Sequence, residues 1–228
     1  MPEALERRFT MRNNFDRELE NLNEELTNMG ILIEKAISNA VKALVEQNAD
    51  YANAAIEYDK EVDQKEKDIE SLCLKLLLQQ QPVAKDLRLI SSALKMITDM
   101  ERIGDQASDI AEIVCFTIEK HHALATEFYD ILKMAKATIN MVNKSIDAYV
   151  KKDLLLAKSV YDDDDIVDNL FSDIRNDLID MIRSDPKSGE RALDLLMIAK
   201  YFERIGDHAT NIAEWVVFSI TGEHESAQ

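Results

Sequence analysis

The sequence predicts an all-α fold built as two tandem, pseudo-symmetric three-helix bundles, and three observations lead there. Glycine and proline are scarce, five and three in 228 residues, against 46% hydrophobic and 31% charged residues. Long helices accept that composition, whereas strands joined by turns do not. Apolar residues recur at steps of three and four over long stretches, the spacing of one helix face. A twelve-residue phrase also occurs twice, "ERIGDQASDIAE" at 101–112 and "ERIGDHATNIAE" at 203–214, identical at nine positions and offset by 102.

The elements follow in order. Phe15, Leu19, Leu22, Leu26, Met29 and Ile33 mark a first amphipathic helix reaching about Gln47. Residues 1–10 precede that pattern and are left out of the fold expectation. Asn48 and Asp50 suit a turn, and a second helix runs from about Tyr51 to Gln80. Pro82 disfavours helix at Gln81 and suits the first turn of a third helix. That helix continues to about Glu119, roughly 55 Å at about 1.5 Å per residue. "KHHALAT" at 120–126 is a polar joint, followed by helices at about Glu127–Lys151 and Leu154–Arg183. Pro186 repeats the break of Pro82, and the sixth helix covers about Glu190–Ile220 before Gly222. Short joints make sequential helices antiparallel neighbours. The 102-residue offset, with "DKEVD" at 59–63 echoed by "DDIVD" at 164–168, divides the chain into repeats at 11–120 and 124–222.

Charge limits the function. Forty-four Asp and Glu against 27 Lys and Arg give a net charge of −17, which repels nucleic-acid phosphates and anionic lipid. Cations, or a basic surface on a protein, are the suitable partners. No apolar run approaches the ~20 residues of a membrane span, and "MPEALERRFTMRNNF" lacks the apolar core of a signal peptide. The sequence thus predicts a soluble cytoplasmic protein without direct membrane insertion. Cys73 and Cys115 sit in hydrophobic contexts and are expected to be buried, reduced thiols.

The repeated phrase concentrates carboxylates. Residues four apart share a helix face, so Glu101, Asp105 and Asp109, with Glu112, line one side, while Ile103, Ala107 and Ile110 form a packing stripe. Traced backward, the acidic side becomes the apolar seam Leu87–Leu94, and in the copy Leu196 precedes Glu203 by seven. On the preceding helices, Asp59 with Asp63, and Asp164 with Asp168, have the same spacing. Asp63 lies 19 residues before Pro82 and Glu101 lies 19 after it. Equal distances from a hairpin turn place the two acidic pairs at one level.

Close like-charge pairs there cost about 4 kcal/mol each at an effective dielectric near 20. Protonation, a neighbouring Arg or Lys, solvent or a bound cation must relieve them. An all-oxygen set suits Mg, Ca, Mn or iron, with zinc also accepted. The plainer reading is a solvated acidic face. Gly104 and Gly206, each costing about 1 kcal/mol inside a helix, are read either as close helix approach or as room for a metal cluster. Arg102 and Arg204 are local ion-pair partners or contacts to an anion or partner. His208 is a ligand or a lone surface histidine.

The segments "PVAKDLRLISSALKMITDMERIGDQASDIAE" and "AKYFERIGDHATNIAEWVV" resemble the PhoU family of phosphate-uptake regulators, over about Met11 to Gly222. The resemblance implies a non-enzymatic, cytoplasmic negative regulator linking a phosphate ABC transporter to a sensor histidine kinase. A homodimer is left open. It also implies iron or zinc clusters on E/D-x-x-x-D motifs. One site then comprises Asp59, Asp63, Glu101, Asp105 and Asp109, and the other Asp164, Asp168, Glu203, Asp207 and Asn211. Asn211 stands where the first copy has Asp109, so the second site has one charge fewer and is expected to bind ions less well. The competing expectations are a metal-free adaptor with acidic faces and a carboxylate-bridged di-metal oxidase. An oxidase normally uses Glu-x-x-His ligands, and the nearest matches here are Glu119-x-x-His122 at a joint and Glu223 with His224 in the tail.

Overall fold

The computed structural model describes residues 2–79, 83–119 and 129–224, with side chains at 15–78, 83–119 and 130–224. The predicted joints at Pro82 and at 120–126, and His122, lie outside the described residues. Among the described residues there are six α-helices and no strand. They are α1 (Pro2–Glu46), α2 (Ala49–Gln79), α3 (Ala84–Glu119), α4 (Tyr129–Lys151), α5 (Leu154–Ser184) and α6 (Gly189–Thr221). Pro186 opens a single 3-10 turn, Pro186–Ser188, between α5 and α6. No helix among the described residues is long and apolar enough to cross a membrane.

One boundary expectation needs correction. Residues 2–10 are not a prelude to α1 but its first turns, since the helix starts at Pro2. Proline is accepted in a first turn, where its missing N–H would have no helical partner. Nothing in "EALERRFTMRNN" then interrupts the helix.

Helices α1–α3 pack on one another as one bundle and α4–α6 as another. The α1–α2 and α4–α5 turns use the same chemistry. Gln47 (φ 49°) and Lys152 (φ 54°) take the left-handed conformation, a strain of roughly 1–3 kcal/mol for a residue with a side chain. The next residue closes each turn, Asn48 N–H onto Ala43 O (3.3 Å) and Asp153 N–H onto Ala148 O (2.9 Å). The side chains of those residues then accept from the start of the following helix. Asn48 Oδ1 takes Asp50 N–H at 2.8 Å, and Asp153 Oδ1 takes Leu156 N–H at 3.0 Å. Gln47 and Lys152 are related by an offset of 105, as Asp59 and Asp164 are, so the repeat reaches down to individual turn bonds.

The α1 stripe behaves as its spacing predicts. Leu22, Leu26, Met29 and Ile33 are fully buried, Phe15 nearly so, and Leu19 packs against them from a partly buried position. The core does not stop between bundles. α3 packs along α6, and the apolar positions of both phrase copies, Ile103, Ala107 and Ile110 with Ile205, Ala209 and Ile212, are all buried. Buried Tyr149 of α4 donates its hydroxyl to Leu89 O of α3 at 2.9 Å, a second tie between the halves. Both cysteines are free thiols. Cys73 is buried, which pushes its thiol up to about 12, whereas Cys115 is only partly buried.

Candidate metal centre

The antiparallel α2–α3 hairpin brings Asp59 and Asp63 to the level of Glu101 and Asp105. One carboxylate oxygen from each of Asp59, Asp63 and Asp105 lies within 4.8 Å of the others, the only such trio of His, Cys, Asp or Glu atoms among the described residues. Gly104 makes the arrangement sterically available. A Cβ at that position would stand 2.7 Å from Asp59 Oδ1 and 3.2 Å from Val62 Cγ1. The glycine therefore allows the close helix approach, with Val62 of α2 against it, and it also lets a carboxylate lie against the α3 backbone.

That carboxylate is poorly satisfied. Asp59 Oδ1 is buried and accepts no hydrogen bond. Burial, then the charges of Asp105, Asp63 and Glu101, push the Asp59 carboxyl up to about 7, with the Ser108 hydroxyl pulling the other way. Glu101 is raised by burial and by Asp105, and Arg102 opposes the shift. Arg102 sits at the rim, about half exposed, with Nη1 2.7 Å from Asp105 Oδ2 and Nε 3.3 Å from Glu101 Oε2. It is a local ion-pair partner and does not reach Asp59's orphaned oxygen. Three convergent carboxylates, one of which keeps a buried, unpartnered oxygen on a glycine cradle, fit a hard cation.

The second half repeats the plan with differences. A Cβ at Gly206 would stand 3.2 Å from Asp164 Oδ1 and 3.4 Å from Val167 Cγ1. Burial, then Asp168 and Asp207, push Asp164 up to about 6. Buried Thr210 faces Asp164 as buried Ser108 faces Asp59. Asp168 and Asp207 keep exposed surface, but partial burial of their carboxyl groups, and then Glu203, raises each, with Lys200 opposing both shifts. Asp163, just before Asp164, pairs with Lys144 of α4 at 2.6 Å and accepts from Asn140 at 3.1 Å.

The third acidic position faces elsewhere. Asp109 is engaged by Tyr201 and Arg204 of α6, across the seam between the halves. Asn211 donates to Asp99 of α3 at 3.1 Å, and His208 Nδ1 meets the same oxygen at 2.9 Å. These contacts are counterparts, because Asp109 matches Asn211 and Asp99 matches Tyr201 at the offset of 102. Eight residues of helix turn Asp109 about 80° away from Glu101, which is enough to move it from the α2 face to the α6 face. His208 thus lies in the seam beside Asp99 and is not a lone surface histidine. Glu112 is exposed and adds charge near Asp109 and Tyr201. His224 stacks on Phe218 with ring centroids 4.2 Å apart. Ser108, Thr210, Tyr201 and Asp99 were missed from sequence, although the paired hydroxyls at one phrase position were a usable signal.

Gly104→Ala tests the cradle. The new methyl is expected to expel the Asp59 carboxylate and weaken divalent-ion binding at least about tenfold. Global stability should change by less than about 1 kcal/mol, because the helix gains a comparable amount from alanine. Gly206→Ala, with its wider gap, should leave Asp164 in place. Ion titration combined with urea denaturation of the two variants measures both effects.

The sequence matches the PhoU domain twice, over residues 26–114 and 131–216. It is 38% identical to a phosphate-specific transport system accessory protein PhoU homolog of Clostridium acetobutylicum, over 92% of this chain and 95% of the relative. The Pseudomonas aeruginosa homolog is 35% identical over 91% of this chain and 86% of its own length. The crystal structure of PhoU from Pseudomonas aeruginosa superposes on this chain with TM-score 0.85 at 34% identity, covering 92% of this chain and all of that one. The phosphate transport system regulatory protein PhoU from Streptococcus pneumoniae superposes with TM-score 0.82 at 26% identity, covering 93% and 99%. With the domain matched in each half and relatives aligned along nearly the whole length, the chain belongs to the PhoU family.

Proposed function

We propose that this protein is a cytoplasmic, non-enzymatic negative regulator of phosphate uptake that binds divalent cations. It connects a phosphate ABC transporter to a sensor histidine kinase through protein contacts. The relatives' names as accessory and regulatory proteins of phosphate transport support the regulatory part. The net charge of −17 argues against a DNA-bound repressor. In this reading each repeat, 11–120 and 124–222, is built around one acidic cluster.

The observation favouring a cation is the orphaned Asp59 oxygen on Gly104, beside Asp63 and Asp105. Iron, zinc, manganese, magnesium and calcium all accept such oxygens. A bound ion would supply the positive charge that lets these carboxylates stay ionised side by side. Asp59, Asp63 and Asp105 would hold it, with Glu101 beside them. Asp109 and Asn211 have structural partners across the seam and are not needed. A second reading has its own support: a carboxyl raised to about 7 can relieve the repulsion by keeping a proton, leaving a metal-free adaptor.

Deleting the gene is expected to derepress phosphate-starvation genes in phosphate-rich medium, read by transcript levels. Unchanged expression would overturn the regulatory reading, as would sequence-specific DNA binding by the purified protein.

A further inference from the structure

Beyond the second cluster, α6 carries a small aromatic notch. Trp215, the single tryptophan of the sequence, and Phe218 stand one turn apart, with ring centroids separated by 6.1 Å and planes at 89°. Lys95 of α3 holds its Nζ 5.9 Å from the centroid of the Trp215 ring. The chain itself fills the space between them. His224 lays its ring on Phe218, with centroids 4.2 Å apart and planes 11° from parallel, and meets Trp215 edge-on at 5.2 Å and 87°. Stacked and edge-on contacts are the arrangements that aromatic rings favour.

Helix termination does not require this contact. α6 is capped as soon as Gly222, at φ 81°, turns its N–H onto Phe218 O at 2.8 Å. The residues that follow are nevertheless turned back. Thr221 Oγ1 accepts from Glu223 N–H at 3.1 Å, and Gly222 lies against the Arg88 side chain of α3, where a Cβ would stand 3.5 Å from Nε. The repeat does not require it either. At the offset of 102, Phe218 maps to Phe116, but Trp215 maps to Ile113 and Lys95 to Met197. One half therefore builds the same helix pair without the notch. The strap is also lightly held: Thr221, Gly222, Glu223 and His224 are all exposed, and segments with so little buried surface open at low free energy. Opening it uncovers a flat aromatic surface flanked by two cations of α3, Lys95 and Arg88. The strap's own sequence, Glu223 followed by His224, is an acid next to a ring.

We propose that residues 221–224 are an autoinhibitory strap, filling in cis a docking notch of Trp215, Phe218 and Lys95 that accepts a partner segment carrying a flat aromatic side chain beside a carboxylate. Stacking selects the ring, and the cations of α3 select the acid. The tethered imidazole competes at an effective concentration of about millimolar or more, so a partner must displace it. The inference goes beyond the regulatory reading and does not depend on a bound cation.

The test uses the full chain and the emission of Trp215. His224→Gly opens the notch without touching the core and should shift that emission. The peptide acetyl-Gly-Glu-Tyr-amide should then change it saturably, with an apparent affinity at least about tenfold above that for wild type. Leucine in place of the peptide's tyrosine, or lysine in place of its glutamate, should abolish the saturable change. Lys95→Met combined with His224→Gly should weaken binding of the original peptide about tenfold. His224→Phe, which keeps a ring in the strap, should behave as wild type. Circular dichroism melts confirm that each variant is folded. Equal affinity of wild type and His224→Gly overturns the proposal, as does equal binding of the leucine peptide or the absence of saturable binding to His224→Gly.

Discussion

Asp59→Asn is expected to raise the stability of the metal-free protein at neutral pH while abolishing its stabilisation by divalent ions. The substitution preserves shape and removes one charge from a half-buried carboxylate cluster, a relief of about 1–2 kcal/mol. Wild type should gain about 2.7 kcal/mol from an ion present at a hundred times its dissociation constant, and the variant little or nothing. The pH dependence follows from the same group. Its folded-state pKa, about 7, lies above the ordinary carboxylate value, so between about 4 and 7 the native state binds more protons than the unfolded chain. Metal-free wild type is therefore most stable at the acid end of that window and loses stability as pH rises through it. Asp164, raised to about 6, adds to the slope over a shorter range. Asp59→Asn should flatten the slope, and saturating Mn²⁺ should remove or reverse it, because a bound cation favours the ionised form. Urea denaturation at pH 5 and pH 8, with chelator or Mn²⁺, measures all three. Identical slopes in wild type and variant would refute the assignment of Asp59 as the strained carboxylate.

Phe202→Ala should cost about 3–5 kcal/mol, the usual loss for emptying a fully buried aromatic site. Against typical domain stabilities of about 5–15 kcal/mol, that is enough to populate unfolded chain near physiological temperature. Phe202 is inaccessible to solvent on α6, within a core whose buried residues run through all six helices. The loss is expected to appear as one cooperative transition at lower urea, with Phe202→Leu costing under about 1.5 kcal/mol. Two separated transitions in Phe202→Ala, one at the wild-type midpoint, would show that the first half does not depend on the second.

The helices were legible because their apolar stripes are long and their breakers few. Leu22, Leu26, Met29 and Ile33 needed only the period of the helix, and the level of Asp63 with Glu101 needed only counting from Pro82. What failed was angular. Glu101, Asp105 and Asp109 share a face when counted in fours, but each step drifts about 40°. After two steps Asp109 belongs to a different neighbour. Periodicity gives a stripe without naming the helix that covers it, so the α3–α6 seam and its residues Asp99, Tyr201 and His208 stayed hidden.

The seam contacts, Asp109 with Tyr201 and Asn211 with Asp99, are one interaction read in both directions. A homodimer would be obliged to place the same pair at both ends, and a substitution improving one end would be imposed on the other. Joined on a single chain, the halves hold each other at an effective concentration of about millimolar or more, so neither must bind tightly enough to find its partner. Such tethering releases the two ends from identity. An acid can become an amide on one side only, while the shared hydrophobic interior continues to impose one shape on both.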